Sequence, residues 1–179
     1  MLISYNWIKQ YVKDLPNPDE LSEIITFHIC ELESVEKSEN GDTVFDMNIL
    51  PDRAHDLLCH KGVARELASL LGLSFNDISY KLPETFAKTN LKIEIDTDKC
   101  NRYMGRIIRG INVGPSPKWM IDYLASIGQR SINNIVDATN IVLFDLGQPI
   151  HAFDLDKLTE ETIVVKNAHD GDTLALVGS

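Results

Sequence analysis

The sequence lacks the features that define several large classes of protein. Its 179 residues include three cysteines, Cys30, Cys59 and Cys100, which stand far apart without a C-x-x-C pair. This spacing argues against a disulfide framework and favours reduced thiols in a cytoplasm. No apolar run approaches the ~20 residues that a membrane span needs, and "MLISYNWIKQ" lacks the apolar core of a signal peptide. We therefore expect a cytoplasmic protein without membrane contact.

Motifs for nucleotide binding and hydrolysis are also missing. There is no G-x-x-x-x-G-K, no G-x-G-x-x-G and no G-x-S-x-G. The stretch "PDRAHDLLCH" does gather residue types that bind metals, but no second pair stands at a recognisable zinc spacing. We expect no metal site. Instead, Asp52 or Asp56 should cap the following helix, with His60 on the surface of that helix.

Positive charge is scarce overall and concentrated in one region. The formal net charge of −10 counts against nucleic acid as a partner, yet residues 81–130 carry 9 basic and 5 acidic side chains. The candidates for RNA contact in this strip are Lys99, Arg102, Arg106 and Arg109. A solvated strand face would give the same count, so both interpretations stay open.

Hydrophobic periodicity predicts a small N-terminal domain over residues 1–73. "SYNWIKQYV" predicts a helix capped by Ser4, and "LPNPDELSEIITFHI" predicts a second helix. "ELESVEK" and "TVFDMNIL" alternate as strands around "SENGD", a strong hairpin pattern. "LLCHKGVARELASLLG" predicts a helix that ends at Gly72.

Residues 74–90 form a predicted connector, and residues 91–179 a second domain of mixed α/β structure. "LKIEIDT", "YMGRIIRGINV" and "ETIVVKN" predict strands. "SPKWMIDYLASIG" and "SINNIVDATNIVLFDLG" predict helices that end at Gly128 and Gly147. The apolar alternation is still running at Leu174 and Leu176, so we expect this sheet to be truncated. The predicted fold class is α+β.

One candidate pocket follows from polar residues in apolar surroundings. Thr139 and Asn140 lie in the middle of an apolar predicted helix, where short polar side chains are mildly disfavoured. His151 follows in "GQPIHAFD", residues 147–154, after a Gly-Gln-Pro break. These three side chains could converge on a pocket, or they could be hydrogen-bonded residues of a core.

Several motifs in the same order resemble one known family. "INNIVDATN" followed by "LGQPIHAFD" is similar to the I-N-x-x-V-D-x-T-N and L-G-Q-P-x-H-A-F-D patterns of the B3/B4 domain in the phenylalanine–tRNA ligase β subunit. "ISYNWIKQYV" resembles the opening helix of that subunit. "ILPDRAHDLLCHKGVARELASLLG" resembles its Asn/Asp-Arg turn and G-[IV]-A-R-E motif. The resemblance covers nearly the whole chain.

The sequence departs from that family in two ways. Typical bacterial members carry a tRNA-binding oligonucleotide-fold domain between the two strands of the hairpin, where this sequence has only "SENGD". The family's B3/B4 domain also continues well past the equivalent of Ser179. The missing part includes the acidic residue that recognises the tyrosine hydroxyl.

The resemblance implies a subunit of an α2β2 enzyme that attaches phenylalanine to tRNA(Phe) with ATP and Mg²⁺. Neither ATP nor Mg²⁺ would bind to this chain, since aminoacylation belongs to the α subunit. The B3/B4 region would hydrolyse tRNA mischarged with tyrosine, with Thr139, Asn140 and His151 lining the editing pocket. Two alternatives remain: a freestanding deacylase of mischarged tRNA, and a non-catalytic RNA-binding or assembly module.

Overall fold

The computed structural model describes residues 1–81 and 88–173. The chain forms two compact units. The first joins Met1–Lys81 with Asn112–Ala152, and the second joins Leu82–Ile111 with Phe153–Ser179. The division into domains at residues 73 and 91 stays a prediction.

Helices and short strands alternate without a single dominant sheet, and the α+β class is confirmed. The helices are α1 (Tyr5–Ile8), α2 (Pro18–His28), α3 (Ala54–Leu57), α4 (His60–Leu71), α5 (Lys118–Ser126) and α6 (Asn134–Leu146). The strands are β1 (Leu2–Ser4), β2 (Leu32–Lys37), β3 (Thr43–Met47), β4 (Lys92–Asp96) and β5 (Thr162–Lys166). Short 3-10 turns cover Leu155–Lys157 and Thr159–Glu161.

The first unit contains a three-stranded antiparallel sheet in the order β1-β3-β2. The predicted hairpin is confirmed, with Val35 opposite Phe45 in the β2–β3 register. Strand β1 was not predicted from the pattern, and it pairs with the other edge of β3 through Ile3 and Phe45. The central strand β3 is therefore buried almost along its whole length.

Helices α1, α2 and α4 cover this sheet and form the main apolar core. Ser4 caps α1 as predicted, and its Oγ accepts from the Trp7 backbone N–H at 3.0 Å. The buried core residues are Ile3, Ile8, Tyr11, Val12, Leu15, Leu21, Ile25, Phe45, Met47, Leu57, Val63, Ala64, Leu67 and Ala68. The helix predicted over "SYNWIKQYV" is confirmed only for Tyr5–Ile8. Tyr11 and Val12, which follow it in a turn and an irregular segment, are nevertheless buried with Trp7 and Ile8.

The predicted helix over residues 57–72 is interrupted at Cys59, which separates α3 from α4. Cys59 has an extended backbone, and its Sγ accepts the Gly62 N–H at 3.3 Å, so Cys59 rather than Asp52 or Asp56 caps α4. A Cβ at Gly62 would stand 1.7 Å from the carbonyl oxygen of Asp56. Only glycine therefore permits the close approach of these two short segments.

The helices α5 and α6 complete the first unit. Helix α5 follows Pro117 and α6 follows Asn133, whose side chain accepts the N–H groups of Ile135 and Val136 at 3.0 Å. Gly147 ends α6 in a left-handed conformation with φ +73°, which glycine adopts without the strain that a side chain brings. The helix end predicted at Gly147 is confirmed, whereas α5 ends at Ser126, two residues before the left-handed Gly128.

The second unit contains β4 and β5, paired in parallel with Ile93 opposite Ile163. The predicted strand "YMGRIIRGINV" is wrong, because no residue from 101 to 117 is in a strand. Gly110, at φ +70°, interrupts the extended conformation, and β-forming residues make a strand only when a partner is available. The apolar alternation at Leu174 and Leu176 lies outside the described residues.

Within residues 1–81 and 88–173, we find no helix that is both long and apolar enough to cross a membrane.

Candidate functional site

Helix α6 is the element that carries two of the three predicted pocket residues, and its burial pattern is unusual. Its sequence is strongly apolar, yet its two buried residues are Asp137 and Asp145. The apolar side chains of α6 are half-buried or, at Leu146, 41% exposed. The most deeply buried side chains that attach this helix to the first unit are therefore carboxylates.

Asp137 attaches the N-terminal half of α6. Its carboxylate accepts hydrogen bonds from the Ser116 and Ser131 hydroxyls, and from the Ile132 backbone N–H at 2.9 Å. Burial alone would raise the pKa of Asp137, but these hydrogen bonds outweigh it and lower the pKa below its ordinary value. Asp137 is thus held as a charged group inside a shell of donors.

Asp145 attaches the C-terminal half of α6 to α1 and the residues that follow it. Its two oxygens accept from Trp7 Nε1 at 2.8 Å and from the Tyr11 hydroxyl at 2.7 Å. Burial raises the pKa of Asp145, although the bonds from Tyr11 and Trp7 lower it in part. Burial and the bond to Asp145 also raise the pKa of Tyr11, so this hydroxyl keeps its proton.

His60 joins the same cluster from α4, although the sequence predicted it on the surface. It is fully buried, its Nε2 accepts the Ser4 N–H at 3.0 Å, and its Nδ1 lies 2.8 Å from the Phe144 carbonyl oxygen. An acceptor role for Nε2 requires the neutral ring with a proton on Nδ1. Burial lowers the pKa of His60 to about 4, which keeps the ring neutral near pH 7.

Thr139 and Asn140 lie between the two anchoring carboxylates on α6, and both are half-buried. The Thr139 hydroxyl donates to the Val136 carbonyl at 2.6 Å, so its oxygen is left to accept from a ligand. Within the described residues, the Asn140 side chain makes no hydrogen bond. Neither residue is used to stabilise the buried cluster, which distinguishes them from Asp137 and Asp145.

His151 lies four residues beyond Gly147 in an irregular, exposed segment of the same compact unit. The segment begins where the left-handed Gly147 turns the chain away from α6. The predicted convergence of His151 with Thr139 and Asn140 is not tested by these positions and stays a prediction.

The four RNA-contact candidates belong to the second unit. Lys99, Arg102, Arg106 and Arg109 are all exposed, but they lie on irregular backbone rather than on the predicted strand face. Exposure is compatible with both interpretations of the strip, and the RNA contact stays a prediction.

No group of three or more metal-binding side chains exists in the part of the chain that the structure describes. The residues gathered in "PDRAHDLLCH" are engaged otherwise. Arg53 forms ion pairs with Asp56 at 2.7 Å and with Glu66 at 3.1 Å, while Cys59 caps α4 and His60 is buried.

Comparison with known proteins agrees with the motif pattern. Residues 99–179 match the family model of the B3/4 domain. The phenylalanine–tRNA ligase beta subunit of Rhodopirellula baltica is 36% identical over 99% of this chain and 26% of its own length. The chain belongs to the phenylalanine–tRNA ligase β-subunit family.

Other β subunits of this family align with a shorter part of the chain at higher identity. The Syntrophotalea carbinolica subunit is 47% identical over 71% of the chain, and the Geobacter sulfurreducens subunit is 43% identical over 73%. The chain spans only 16% and 17% of those two relatives. The family assignment thus concerns a minor part of the length of a β subunit.

Sequence reasoning missed the anchoring residues of α6 in this family member. In the sequence, Asp137 is one position of the V-D-x-T-N motif, and Asp145 is a single acidic residue in an apolar segment. Neither position by itself indicates an anchoring role. An acid placed among apolar residues of a helix was the available indication of a buried carboxylate, since unpaired charge is costly inside a protein. Nothing in the pattern near His60 indicated its burial.

Proposed function

We propose that this chain acts as part of a phenylalanine–tRNA ligase β subunit, with an α subunit as its partner and tRNA(Phe) as its RNA. The single observation that supports this most is the alignment of 99% of the chain with a β subunit at 36% identity. ATP and Mg²⁺ serve the whole enzyme in the cytoplasm. The described residues hold no group of three or more metal-binding side chains.

The proposal includes hydrolytic editing of Tyr-tRNA(Phe) by the B3/B4 region. An apolar pocket rejects an analogue with one extra hydroxyl only about 10²-fold, so a second hydrolytic site has a physical purpose. In the editing step, water adds to the ester carbonyl, the bond to the terminal ribose oxygen breaks, and that oxygen takes a proton. Free tyrosine and uncharged tRNA result.

Half-burial and hydrogen-bonding capacity support roles for Thr139 and Asn140 in that pocket, and exposure next to the end of α6 supports one for His151. The Asn140 amide can donate to the ester carbonyl and accept from a ribose hydroxyl, whereas Thr139 offers an acceptor. His151, on an exposed segment next to the helix end, would position the terminal adenosine or the attacking water. We do not assign His151 as a general base, since geometry with a substrate decides that role.

The assembly can be tested on the endogenous protein. We would tag the chain in its own cell, purify it under native conditions, and determine its intact mass and its partners by mass spectrometry. The proposal expects a mass several-fold above 20.1 kDa and stoichiometric recovery of the α subunit. A mass near 20.1 kDa without the α subunit would contradict it, and a Tyr-tRNA deacylation assay would then separate the freestanding deacylase from the non-catalytic module.

A further inference from the structure

A cleft in the first compact unit is not used by the proposed editing pocket. It encloses about 370 Å³, within the size range of small-ligand sites. Its lining is dominated by aromatic side chains around one carboxylate: Trp7, Gln10, Tyr11, Ile78, Tyr80, Trp119, Tyr123, Ile141 and Asp145. We call it the aromatic cleft.

Asp145 gives the aromatic cleft a buried negative charge. This side chain is 7% exposed, and both of its hydrogen-bond donors, Trp7 Nε1 and the Tyr11 hydroxyl, are neutral. A carboxylate has about four acceptor positions, so roughly two remain for a ligand. Within residues 1–81 and 88–173 no cation forms an ion pair with Asp145, and the Lys61 ammonium is bonded to Asp77 at 2.5 Å. The Asp145 carboxylate is therefore buried without an ion pair among these residues, although the charge of Lys61 lowers its pKa in part.

The aromatic side chains supply a second feature that favours a cation. Tyr123 stacks on Trp7 with ring centroids 4.9 Å apart, and Trp119 meets Tyr123 edge to face at 6.1 Å. Trp119 and Tyr80 are 53% and 68% exposed, which leaves much of both rings accessible at the opening. Ring faces of Trp and Tyr attract ammonium and guanidinium groups, and the attraction strengthens where water is excluded.

We propose that the aromatic cleft binds an organic cation, with Asp145 as the counter-ion and Tyr80, Trp119 and Tyr123 as its aromatic walls. The cation is an alkylammonium or guanidinium group, since both carry donors for the free carboxylate positions and a charge for the rings. A purely apolar occupant is disfavoured because it would remove the remaining water from Asp145 without replacing its hydrogen bonds.

The two tryptophans of the chain both line the aromatic cleft, so their indole N–H resonances are selective reporters. We would titrate the chain with n-butylammonium chloride and follow both signals by nuclear magnetic resonance. n-Butanol is the neutral match, and sodium chloride controls for ionic strength. We expect saturable shifts with butylammonium alone. Equal shifts with butanol, or none with butylammonium, would overturn the proposal.

Variants separate the cleft from general attraction to an acidic protein. Trp119→Ala should weaken butylammonium binding about fivefold, with the Trp7 indole as reporter. Phe27→Ala, at a side chain that is 79% exposed on α2, is the matched control and should leave butylammonium binding unchanged.

The counter-ion is tested by Asp145→Asn, which should weaken butylammonium binding at least about tenfold. The exposed Glu23→Gln controls for the change in net charge. Unchanged binding in Trp119→Ala would contradict the proposal even where Asp145→Asn fails to fold.

The source of the cation can be distinguished in the same assay. A short capped peptide with one central lysine is compared with butylammonium and with the same peptide carrying norleucine. Tighter binding of the lysine peptide indicates a basic side chain of a protein segment, and equal binding indicates a free amine. Equal binding of the norleucine and lysine peptides would overturn the cation site.

Discussion

Helices α4 and α6 have nearly the same length, but they bury different kinds of side chain. The 12-residue α4 buries Val63, Ala64, Leu67 and Ala68 in the apolar core. The 13-residue α6 is more apolar in sequence, yet it buries two aspartates and leaves its apolar side chains half-buried. Burial is therefore not predicted by composition alone.

The difference indicates how the two helices serve the molecule. Helix α4 is a core element, in which six of the twelve residues are buried. Helix α6 is attached by hydrogen bonds at Asp137 and Asp145, which leaves the positions between them, including Thr139 and Asn140, for another purpose. A helix that is fixed by a few hydrogen bonds can use its other side chains to contact a ligand while its position stays the same.

The largest expected effect is a difference in the free energy of unfolding between a Leu→Ala substitution on α4 and one on α6. Leu67→Ala should lower the free energy of unfolding by about 2–5 kcal/mol, because it opens a cavity in a closed core. Leu146→Ala should lower it by less than about 1 kcal/mol, because that side chain is 41% exposed. Urea unfolding of both variants measures the contrast, and equal losses would contradict it.

A pH titration tests the buried His60 that links α4 to α6. Because its folded pKa of about 4 lies below the unfolded value of 6.5, its contribution to stability is complete above pH 6.5. That contribution falls as the pH is lowered toward 4, by roughly 3 kcal/mol in total. Urea unfolding at a series of pH values measures the loss. A His60 ring that titrates near pH 6.5 in the folded protein would contradict this account.

Asp137→Asn tests the attachment of α6 at its first turn. The amide keeps one acceptor oxygen but places an NH₂ group among donors, so we expect a loss of about 2 kcal/mol in unfolding free energy. Glu23→Gln, an exposed change of the same kind, should cost less than about 0.5 kcal/mol. A loss at Asp137 no larger than that of the control would show that α6 is held by something other than this carboxylate.

The lowered pKa of Asp137 also predicts how the stability of the protein depends on pH in acid. Its folded pKa is lowered, so the carboxylate contributes stability above its unfolded value of 3.8, and the contribution is lost as the pH falls through the folded pKa. The acid limb of the stability curve should therefore be shallower in Asp137→Asn than in the unchanged chain. Unfolding measured between pH 5 and the acid transition checks the slope.

Local signals account for much of what the sequence predicted correctly. Ser4 as a cap, the "SENGD" hairpin, and the helix ends at Gly72 and Gly147 depend on the conformations of a few neighbouring residues. Those conformations are set by short-range sterics and hydrogen bonds, which the sequence displays directly.

The errors arose where distant contacts decide the structure. His60 is buried because Ser4 and Phe144, far away in the chain, complete its hydrogen bonds. The three-residue β1 is too short to show alternation, and it forms because β3 offers an edge. The strand predicted from Tyr103 finds no partner among the described residues. For the pocket, sequence motifs identified Thr139, Asn140 and His151 as candidates. Their arrangement around a substrate depends on contacts between distant parts of the chain, which no local pattern contains.

The most direct test of the account is the editing reaction itself, measured on the endogenous assembly with Asn140→Ala. We expect release of tyrosine from Tyr-tRNA(Phe) to slow at least about tenfold, the effect of losing one hydrogen-bonding group from the reacting complex. Formation of Phe-tRNA should stay unchanged, and Leu146→Ala on the same helix serves as the control. Unchanged release of tyrosine in Asn140→Ala, in an assembly that edits normally, would contradict the account.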